Sequence, residues 1–285
     1  MKNPLQGANT QMADPNEEPT VPQAAATVLL VRDSKDEGIE VFLVERASKA
    51  NFGGAFVFPG GKVDPEDGLD NMEEITTGSS DQYLSNILGE EKGGLAYWVA
   101  CIRECFEEAG ILIAFREDGS TFDPSDSDER QRFMEYRNRL NAGEAVLEEM
   151  CKKEKLTLAT ERLAYLAHWI TPKIEKRRYT TRFFVAIAPQ GQEGLHDGSE
   201  SVNSLWIKPE DALQQQKDGK LLLIMPTIKN LESICGYSNV ESLLEEKSSI
   251  DPSTIPTIEP KFFICLLYTS PSPRDVEEWR MPSSA

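Results

Sequence analysis

The chain has no uninterrupted apolar segment of the roughly 18 residues that a membrane-spanning helix requires. Its N-terminal residues also lack the apolar stretch that is found in secretory signal peptides. These two absences predict a protein without a membrane partner and with a cytoplasmic location. If the source is eukaryotic, the peroxisome and the mitochondrion are the alternatives.

Motifs of paired cysteines are absent, and basic residues are outnumbered. The five cysteines form no CxxC motif, and their odd number favours free thiols in a reducing compartment. Lys and Arg total 30 against 48 Asp and Glu, which gives a formal net charge of −18. Because so acidic a chain repels phosphate backbones and anionic lipids, we expect neither nucleic acid nor a membrane surface as a partner.

Short apolar runs are mixed with helical patterns along most of the chain, which indicates one α+β or α/β domain. We predict this domain over residues 23–248, between a flexible N-terminal tail, 1–22, and a C-terminal tail, 249–285. The predicted strands are 24–32, 39–46, 55–58, 163–170, 180–188 and 205–208. The predicted helices are 95–109, one or two within 125–155, one opened by Pro209, and two near 226–235 and 240–247.

Two segments stand apart from this pattern. Residues 69–94 are polar, rich in glycine and weakly periodic, so we predict an insertion with the character of a loop. Cys265 to Asp275 resembles translated sequencing-adapter read-through, and we therefore leave about the last 20 residues out of the fold prediction. We therefore make no prediction for the native C-terminal sequence or for a targeting signal within it.

The most informative segment is the predicted helix 95–109. At about 100° per residue, its apolar residues form one stripe along the helix, made of Leu95, Val99, Ile102, Phe106 and Ala109. Glu104, Glu107 and Glu108 fall on the opposite face, within about 100° of one another, and we expect this face to meet solvent.

Three carboxylates near a helix C-terminus repel one another, and the helix dipole disfavours them there. A bound Mg²⁺, which prefers oxygen ligands, would remove both penalties. In so acidic a chain, an ordinary solvated face is the alternative interpretation of the same three residues.

A glycine-rich turn from Phe58 to Asp64 lies upstream, and its two glycines let backbone groups approach a metal ion or a phosphate. The turn and the helix together resemble the Nudix signature. Its second half is matched at every fixed position, by Arg103-Glu104, Glu107-Glu108, Gly110 and Ile111. Its first half departs from the pattern, because Asp67 replaces Glu and 35 residues separate it from Arg103.

A signature interrupted in this way resembles one branch of the Nudix hydrolase family, which includes the peroxisomal coenzyme A diphosphatase of animals and many bacterial relatives. The resemblance covers roughly residues 24–231. Besides the signature it rests on residues 57–61, 168–172, 181–184, 206 and 209–212.

The resemblance implies the Nudix fold, a mixed β-sheet sandwiched between helices, with a loop or helical insertion and extra C-terminal helices. It implies an enzyme that uses Mg²⁺ or Mn²⁺ to hydrolyse a diphosphate linkage in a nucleotide-derived small molecule, with coenzyme A or acyl-coenzyme A favoured. We expect a monomer or a homodimer. Hydrolysis of ADP-ribose or of a nucleotide sugar is the enzymatic alternative. A catalytically silent nucleotide-binding module is the other alternative, against which the complete carboxylate set argues.

By the same resemblance, Glu104, Glu107 and Glu108 hold the metal, assisted by a backbone carbonyl near Gly60. Arg103 orients the carboxylates through charge-assisted hydrogen bonds. Either Glu104 or Glu107 also acts as the catalytic base, and the sequence does not separate the base from the metal ligands.

Basic residues suggest where substrate phosphates bind. Five of the ten residues 173–182 are basic, so Arg178 and Arg182 are candidate phosphate ligands, and Arg46 at a strand end is a third. A basic loop that balances nearby acidic residues is the alternative for this segment.

The remaining candidates are less specific. Glu200, near His196 in a glycine-rich loop, is a candidate for a further metal ligand or base. His168 lies within a predicted strand, and Cys101 and Cys105 share a helix without other metal ligands, so we interpret all three as core residues.

Overall fold

The computed structural model describes residues 13–14, 17–48, 52–124, 126–196, 198 and 201–261. The strands within these residues are β1 (Gln23–Asp33), β2 (Ile39–Arg46), β3 (Phe56–Val57), β4 (Gly60–Lys62), β5 (Ala114–Arg116), β6 (Leu156–Leu158), β7 (Leu163–Ile170), β8 (Tyr179–Ile187), β9 (Ser201–Ile207) and β10 (Thr257–Ile258). The α-helices are α1 (Asp81–Leu88), α2 (Leu95–Ala109), α3 (Ser127–Asn141), α4 (Leu147–Glu154), α5 (Pro209–Lys217), α6 (Met225–Glu232) and α7 (Val240–Ser249). Short 3₁₀ helices cover Pro65–Gly68, Asp70–Ile75, Thr160–Arg162 and Pro252–Thr254.

The central sheet is mixed, as the sequence predicts. Its order is β10-β7-β8-β1-β2-β3, with β4 paired to β1 and β9 paired to β2. The β1–β8 and β7–β10 pairs are parallel, whereas the other pairs in this sheet are antiparallel. The strands β5 and β6 form a separate antiparallel ribbon.

One edge of β1 is shared by two strands, and this arrangement places the glycine turn. The segment Val31 to Asp33 pairs with β2, whereas Ala25 to Thr27 pairs with β4. Because Gly60 and Gly61 belong to β4, they lie directly beside the central strand of the sheet rather than on a distant loop.

Helices cover both faces of the sheet. Successive residues of β1 alternate between two cores, with Val28 and Leu30 in one and Leu29 and Val31 in the other. The first core contains residues from α1 to α4, and the second contains residues from α5 to α7. The predicted mixed sheet between helices is therefore confirmed.

The insertion is more structured than a loop. Residues 69–94 contain a 3₁₀ helix and α1, which begins after Ser80, whose hydroxyl accepts a hydrogen bond from the Tyr83 amide, and ends at Gly89 in the left-handed conformation. Met72, Ile75, Leu84 and Leu88 of this segment are buried in the first core. The expectation of a loop is thus corrected, because the apolar residues are too sparse to show a helical period but still reach the core.

Both predicted tails partly belong to the domain. Thr20 donates its hydroxyl to the Lys176 carbonyl at 3.0 Å, so this part of the N-terminal segment lies against the β7–β8 hairpin. Beyond residue 248, β10 pairs with β7 and Glu259 forms an ion pair with Arg178 at 2.8 Å. Most of the predicted tail 1–22, and the segment from Cys265 onward, lie outside the described residues.

Among the residues that the structure describes, no helix is both long and apolar enough to cross a membrane. The cysteines within the same residues, Cys101, Cys105, Cys151 and Cys235, are all free.

Candidate active site

The helix α2 is buried on nearly all sides, not only along its apolar stripe. It packs next to β1, β4 and the 3₁₀ helix Pro65–Gly68. The side chains of Glu104 and Glu107 are only 13% and 14% exposed, and Glu108 is 7% exposed. The expectation of a solvent-facing carboxylate surface is therefore wrong, because this face of α2 forms the wall of a cavity.

The glycine turn and the carboxylates meet directly. The Gly60 amide donates a hydrogen bond to Glu108 Oε2 at 2.9 Å. A Cβ added to Gly61 would lie 2.5 Å from the carboxyl carbon of Glu104. The two halves of the interrupted signature are thus adjacent in space, although Gly61 and Glu104 are 43 positions apart in the sequence.

We expect Gly61→Ala to keep the fold and to reduce activity. The φ angle of Gly61 is not in the left-handed region, so alanine is compatible with the backbone there. The main consequence of the added methyl group is therefore to displace the Glu104 carboxylate. Misplacement of a catalytic group by about 1 Å can lower a rate by about 10²-fold. Hydrolysis rates and thermal melting of the purified variant measure both parts of this expectation.

Gly68→Ala is the matched control, because its Cβ would make an ordinary 3.5 Å contact with Ala96. An active Gly61→Ala variant would contradict the close approach of Gly61 and Glu104.

Arg103 organises the carboxylates from within the same helix. Its Nε and Nη2 donate to the two oxygens of Asp67 at 2.8 and 2.9 Å, and Nη2 also donates to the Lys62 carbonyl. Its Nη1 lies 3.0 Å from one oxygen of Glu104 and from one of Glu107. Arg103 therefore ties the residue that follows the glycine turn, Asp67, to the carboxylate helix.

Placing these carboxylates close together in a largely buried position costs electrostatic free energy. Burial raises the pKa of Glu104 to about 8, because Arg103 offsets only part of the desolvation, while Glu108 and Glu107 add repulsion. Burial also raises the pKa of Glu107, and Arg103 opposes this shift. Additional positive charge at this point would relieve the repulsion between these groups.

The donor set fits a hard divalent cation in its chemistry. Three carboxylates and the backbone of a glycine turn are the oxygen ligands that Mg²⁺ or Mn²⁺ prefers. Within the described residues, however, no group of three or more His, Cys, Asp or Glu side chains is already arranged so that it could hold a metal ion. Arg103 engages one oxygen each of Glu104 and Glu107, so the second oxygen of each can serve as a ligand.

A cavity of about 1120 Å³ opens beside the carboxylates. Its polar part includes the three glutamates, Arg103, Arg46, Lys62 and the Gly60-Gly61 turn. Its apolar part includes Phe52, Phe58, Trp169, Phe183 and the segment from Leu222 to Met225. The cavity is large enough to hold a nucleotide-sized ligand.

Of the three arginines predicted to bind phosphate, the structure brings only Arg46 to this cavity. Arg178 is 7% exposed and donates to the carbonyls of Thr171 and Thr20 and to Glu259. It fastens the two ends of the domain, so its proposed contact with substrate is corrected.

Arg182 is also committed elsewhere. It donates to Tyr165 Oη at 2.8 Å, to the Leu88 carbonyl at 3.2 Å and to Glu90 at 2.9 Å. These partners include residues of the insertion, and Arg182 is not among the residues that line the cavity. Its candidate role at the phosphates is therefore corrected as well.

His168 is a core residue, as predicted. Its ring nitrogens lie 2.8 Å from Thr257 Oγ1 and 2.7 Å from Thr180 Oγ1, and burial lowers its pKa to about 4. His196 Nδ1 lies 3.1 Å from Ser204 Oγ. Glu200 lies outside the described residues, so its candidate role stays a prediction.

Segments outside the signature hold both ends of α2. At the N-terminal end, Asp81 accepts hydrogen bonds from the amides of Gly93 and Leu95, and Ser85 accepts one from the Gly94 amide. At the C-terminal end, Arg137 of α3 donates to the carbonyls of Glu107 and Glu108.

Arg137 is a residue of this site that the sequence patterns above do not predict. One signal could have found it: Arg137 lies on the buried stripe of α3, together with Phe133, Tyr136 and Leu140. An arginine on an otherwise apolar face is a candidate for a specific buried contact.

Comparison with known families identifies the family of this chain. The family described as the NUDT19 Nudix domain matches residues 78–234, which is more than half of the chain. The chain belongs to this Nudix family. The match begins within the insertion and includes all of α2, so it covers the carboxylates but not the glycine turn.

Individual Nudix relatives agree with this assignment. The chain is 26% identical to the acyl-coenzyme A diphosphatase NUDT19 of Xenopus laevis and to that of Gallus gallus, over 72% of this chain in each case. It spans 62% and 63% of the length of these two relatives. A NUDIX hydrolase of Alicyclobacillus acidocaldarius has a similar structure, with a TM-score of 0.64, 26% identity, and coverage of 79% of this chain and 96% of that one. The predicted Nudix fold is thus confirmed.

Proposed function

We propose that this protein hydrolyses the diphosphate linkage of coenzyme A or acyl-coenzyme A with the help of Mg²⁺ or Mn²⁺. The observation that carries the proposal is the junction of the glycine turn with Glu104, Glu107 and Glu108, at the wall of a nucleotide-sized cavity. The substrate class is suggested by the two relatives that carry the name acyl-coenzyme A diphosphatase.

Each side chain has a role in this proposal. Glu104, Glu107 and Glu108 hold the metal, with a backbone carbonyl near Gly60 as a further ligand. Arg103 orients Glu104 and Glu107 through its 3.0 Å contacts. The base is either Glu104 or Glu107, since both line the cavity.

A bound divalent cation would neutralise the diphosphate and lower the pKa of an attacking water. Arg46 is suited to bind a phosphate oxygen, because it lines the cavity and a guanidinium forms charge-assisted hydrogen bonds with phosphate. The cavity also has an apolar side, which suits the acyl chain of a coenzyme A thioester.

The proposal is tested with a panel of diphosphates in the presence of Mg²⁺ or Mn²⁺. Coenzyme A, a long-chain acyl-coenzyme A, ADP-ribose and a nucleotide sugar are each incubated with the protein, and products are identified by mass. We expect cleavage between the two phosphates of the coenzyme A compounds, with a higher kcat/KM than for the others. A preference for ADP-ribose or for the sugar would replace the proposed substrate.

Removal of the metal is expected to abolish hydrolysis. Excess chelator should reduce the rate to background, and added Mg²⁺ or Mn²⁺ should restore it, because three carboxylates without a cation leave the site with the wrong charge for an anionic substrate. Thermal melting in chelator serves as the control for intact fold. Full activity in excess chelator would contradict the metal requirement.

A further inference from the structure

We propose that Arg137 is a positioning residue for the metal-binding end of α2. This inference rests on the proposed function, because it concerns how Glu107 and Glu108 are held in place. The side chain of Arg137 is 5% exposed and comes from α3, outside the Nudix signature.

Arg137 donates hydrogen bonds to three carbonyls, two in the last turn of α2 and one in the loop beside it. Its Nε donates to the Glu107 carbonyl at 2.9 Å, and its Nη2 donates to the carbonyls of Glu108 at 2.9 Å and of Leu195 at 2.7 Å. The Leu195 amide in turn donates to the Ala109 carbonyl at 2.8 Å. Arg137 therefore bridges α2, α3 and the loop around Leu195.

These bonds satisfy carbonyls that a helix cannot satisfy by itself. The last four carbonyls of an α-helix have no partner within the helix. In α2 the carbonyl of Phe106 accepts from the Gly110 amide and that of Ala109 from the Leu195 amide. The two carbonyls between them accept from Arg137, and Asn141 Nδ2 is a more distant second donor to the Glu107 carbonyl at 3.4 Å. The two carbonyls bound by Arg137 thus belong to the same residues whose carboxylates face the cavity.

The position of the last turn decides the shape of the carboxylate cluster. Glu104 lies one turn earlier on α2 than Glu108, so fraying or tightening of the last turn would change the separation of their carboxylates. The guanidinium also places a positive charge at the negative end of the helix dipole, near the acidic cluster. Both effects favour one fixed arrangement of the three glutamates.

The hydrogen bonds of Arg137 to the three carbonyls require the forked shape of the guanidinium group as well as its charge. A lysine ammonium is a compact charge on a flexible chain, and it cannot reach three carbonyls in the arrangement that Nε and Nη2 serve. Arg137→Lys keeps the charge and loses the fork, whereas Arg137→Gln loses both. The two variants therefore separate charge from positioning.

The experiment measures Mn²⁺ binding to the substrate-free protein by electron paramagnetic resonance, together with kcat and KM. We expect Arg137→Gln to weaken Mn²⁺ binding by about 10- to 100-fold, the range found for residues that orient metal ligands. Arg137→Lys should show a smaller but clear loss. In both variants kcat should fall, while KM for the coenzyme A substrate stays within about twofold of the wild-type value, because Arg137 does not line the cavity.

Arg132→Gln is the matched control. Arg132 lies on the same helix and pairs with Glu154 at 3.2 Å on the surface, so its loss removes the same charge without touching α2. This control should retain wild-type Mn²⁺ affinity and turnover. If Arg137→Gln does not fold, Arg137→Lys decides the question.

Wild-type Mn²⁺ affinity and turnover in Arg137→Lys, or in a folded Arg137→Gln, would overturn the inference and leave Arg137 as a packing residue. Absence of both Mn²⁺ binding and hydrolysis in the wild-type protein would overturn the proposed function instead.

Discussion

Replacement of Glu107 by Gln is expected to lower the rate of diphosphate hydrolysis by on the order of 10²-fold or more, with the fold retained. Gln has nearly the same shape as Glu, and its carbonyl oxygen can still accept the hydrogen bond from Arg103 Nη1. The lost feature is one negative charge of the proposed metal site. Steady-state kinetics at saturating Mg²⁺, with melting curves of both proteins, measure the effect.

Glu66→Gln is the control for this variant. Glu66 also lines the cavity, but it is exposed and lies outside the carboxylate cluster. Its replacement removes the same charge and should leave turnover close to that of the wild type. Near wild-type turnover in Glu107→Gln would show that the catalytic centre lies elsewhere.

Replacement of residues 69–94 by a short Gly/Ser linker is expected to destabilise the protein severely. An insertion that were only a loop would cost little to replace, because the entropy of loop closure grows slowly with length. Here Met72, Ile75, Leu84 and Leu88 would leave the core. At about 1.5 to 3 kcal/mol for each buried apolar side chain, this loss is comparable to the whole stability of roughly 5 to 15 kcal/mol of an ordinary domain.

The same replacement would also remove the caps that Asp81 and Ser85 provide at the start of α2. Thermal and urea unfolding, followed by circular dichroism, should show a missing or strongly shifted cooperative transition. Replacing only Glu91 and Lys92 by Gly and Ser is the control, because both side chains are exposed, and this variant should unfold as the wild type does. A stable linker variant would show that the insertion is dispensable.

Local patterns in the sequence were sufficient for the longer strands and for several helices, but not for α1. The strands β2 and β7 and the helices α2 and α5 have the predicted bounds, because continuous apolar runs, Pro209 at a helix start and Gly110 at a helix end are local signals. The strands β4, β5, β6 and β10 have two or three residues each, and their positions are decided by pairing partners elsewhere in the chain. No local pattern reports such pairing.

The candidate site was likewise predictable only in part from the sequence. The residue types and helical spacing of Glu104, Glu107 and Glu108 placed the three carboxylates on one face, because side-chain direction along a helix follows from its period. Only the tertiary structure decided that this face borders a cavity, that β4 brings the Gly60 amide within 2.9 Å of Glu108 Oε2, and that Arg46 lines the cavity whereas Arg178 and Arg182 do not.

Arg178 and Arg182 show why the sequence could not make that last choice. The residue type is the same whether an arginine binds substrate or donates a hydrogen bond to a carbonyl of its own chain. The answer depends on which acceptors the fold brings within about 3 Å of the guanidinium. For these two arginines several acceptors, in Thr20, Leu88 and Glu259, are far away in the sequence. The sequence by itself therefore determined the chemistry available to this protein, and the long-range packing of its segments decided which groups meet.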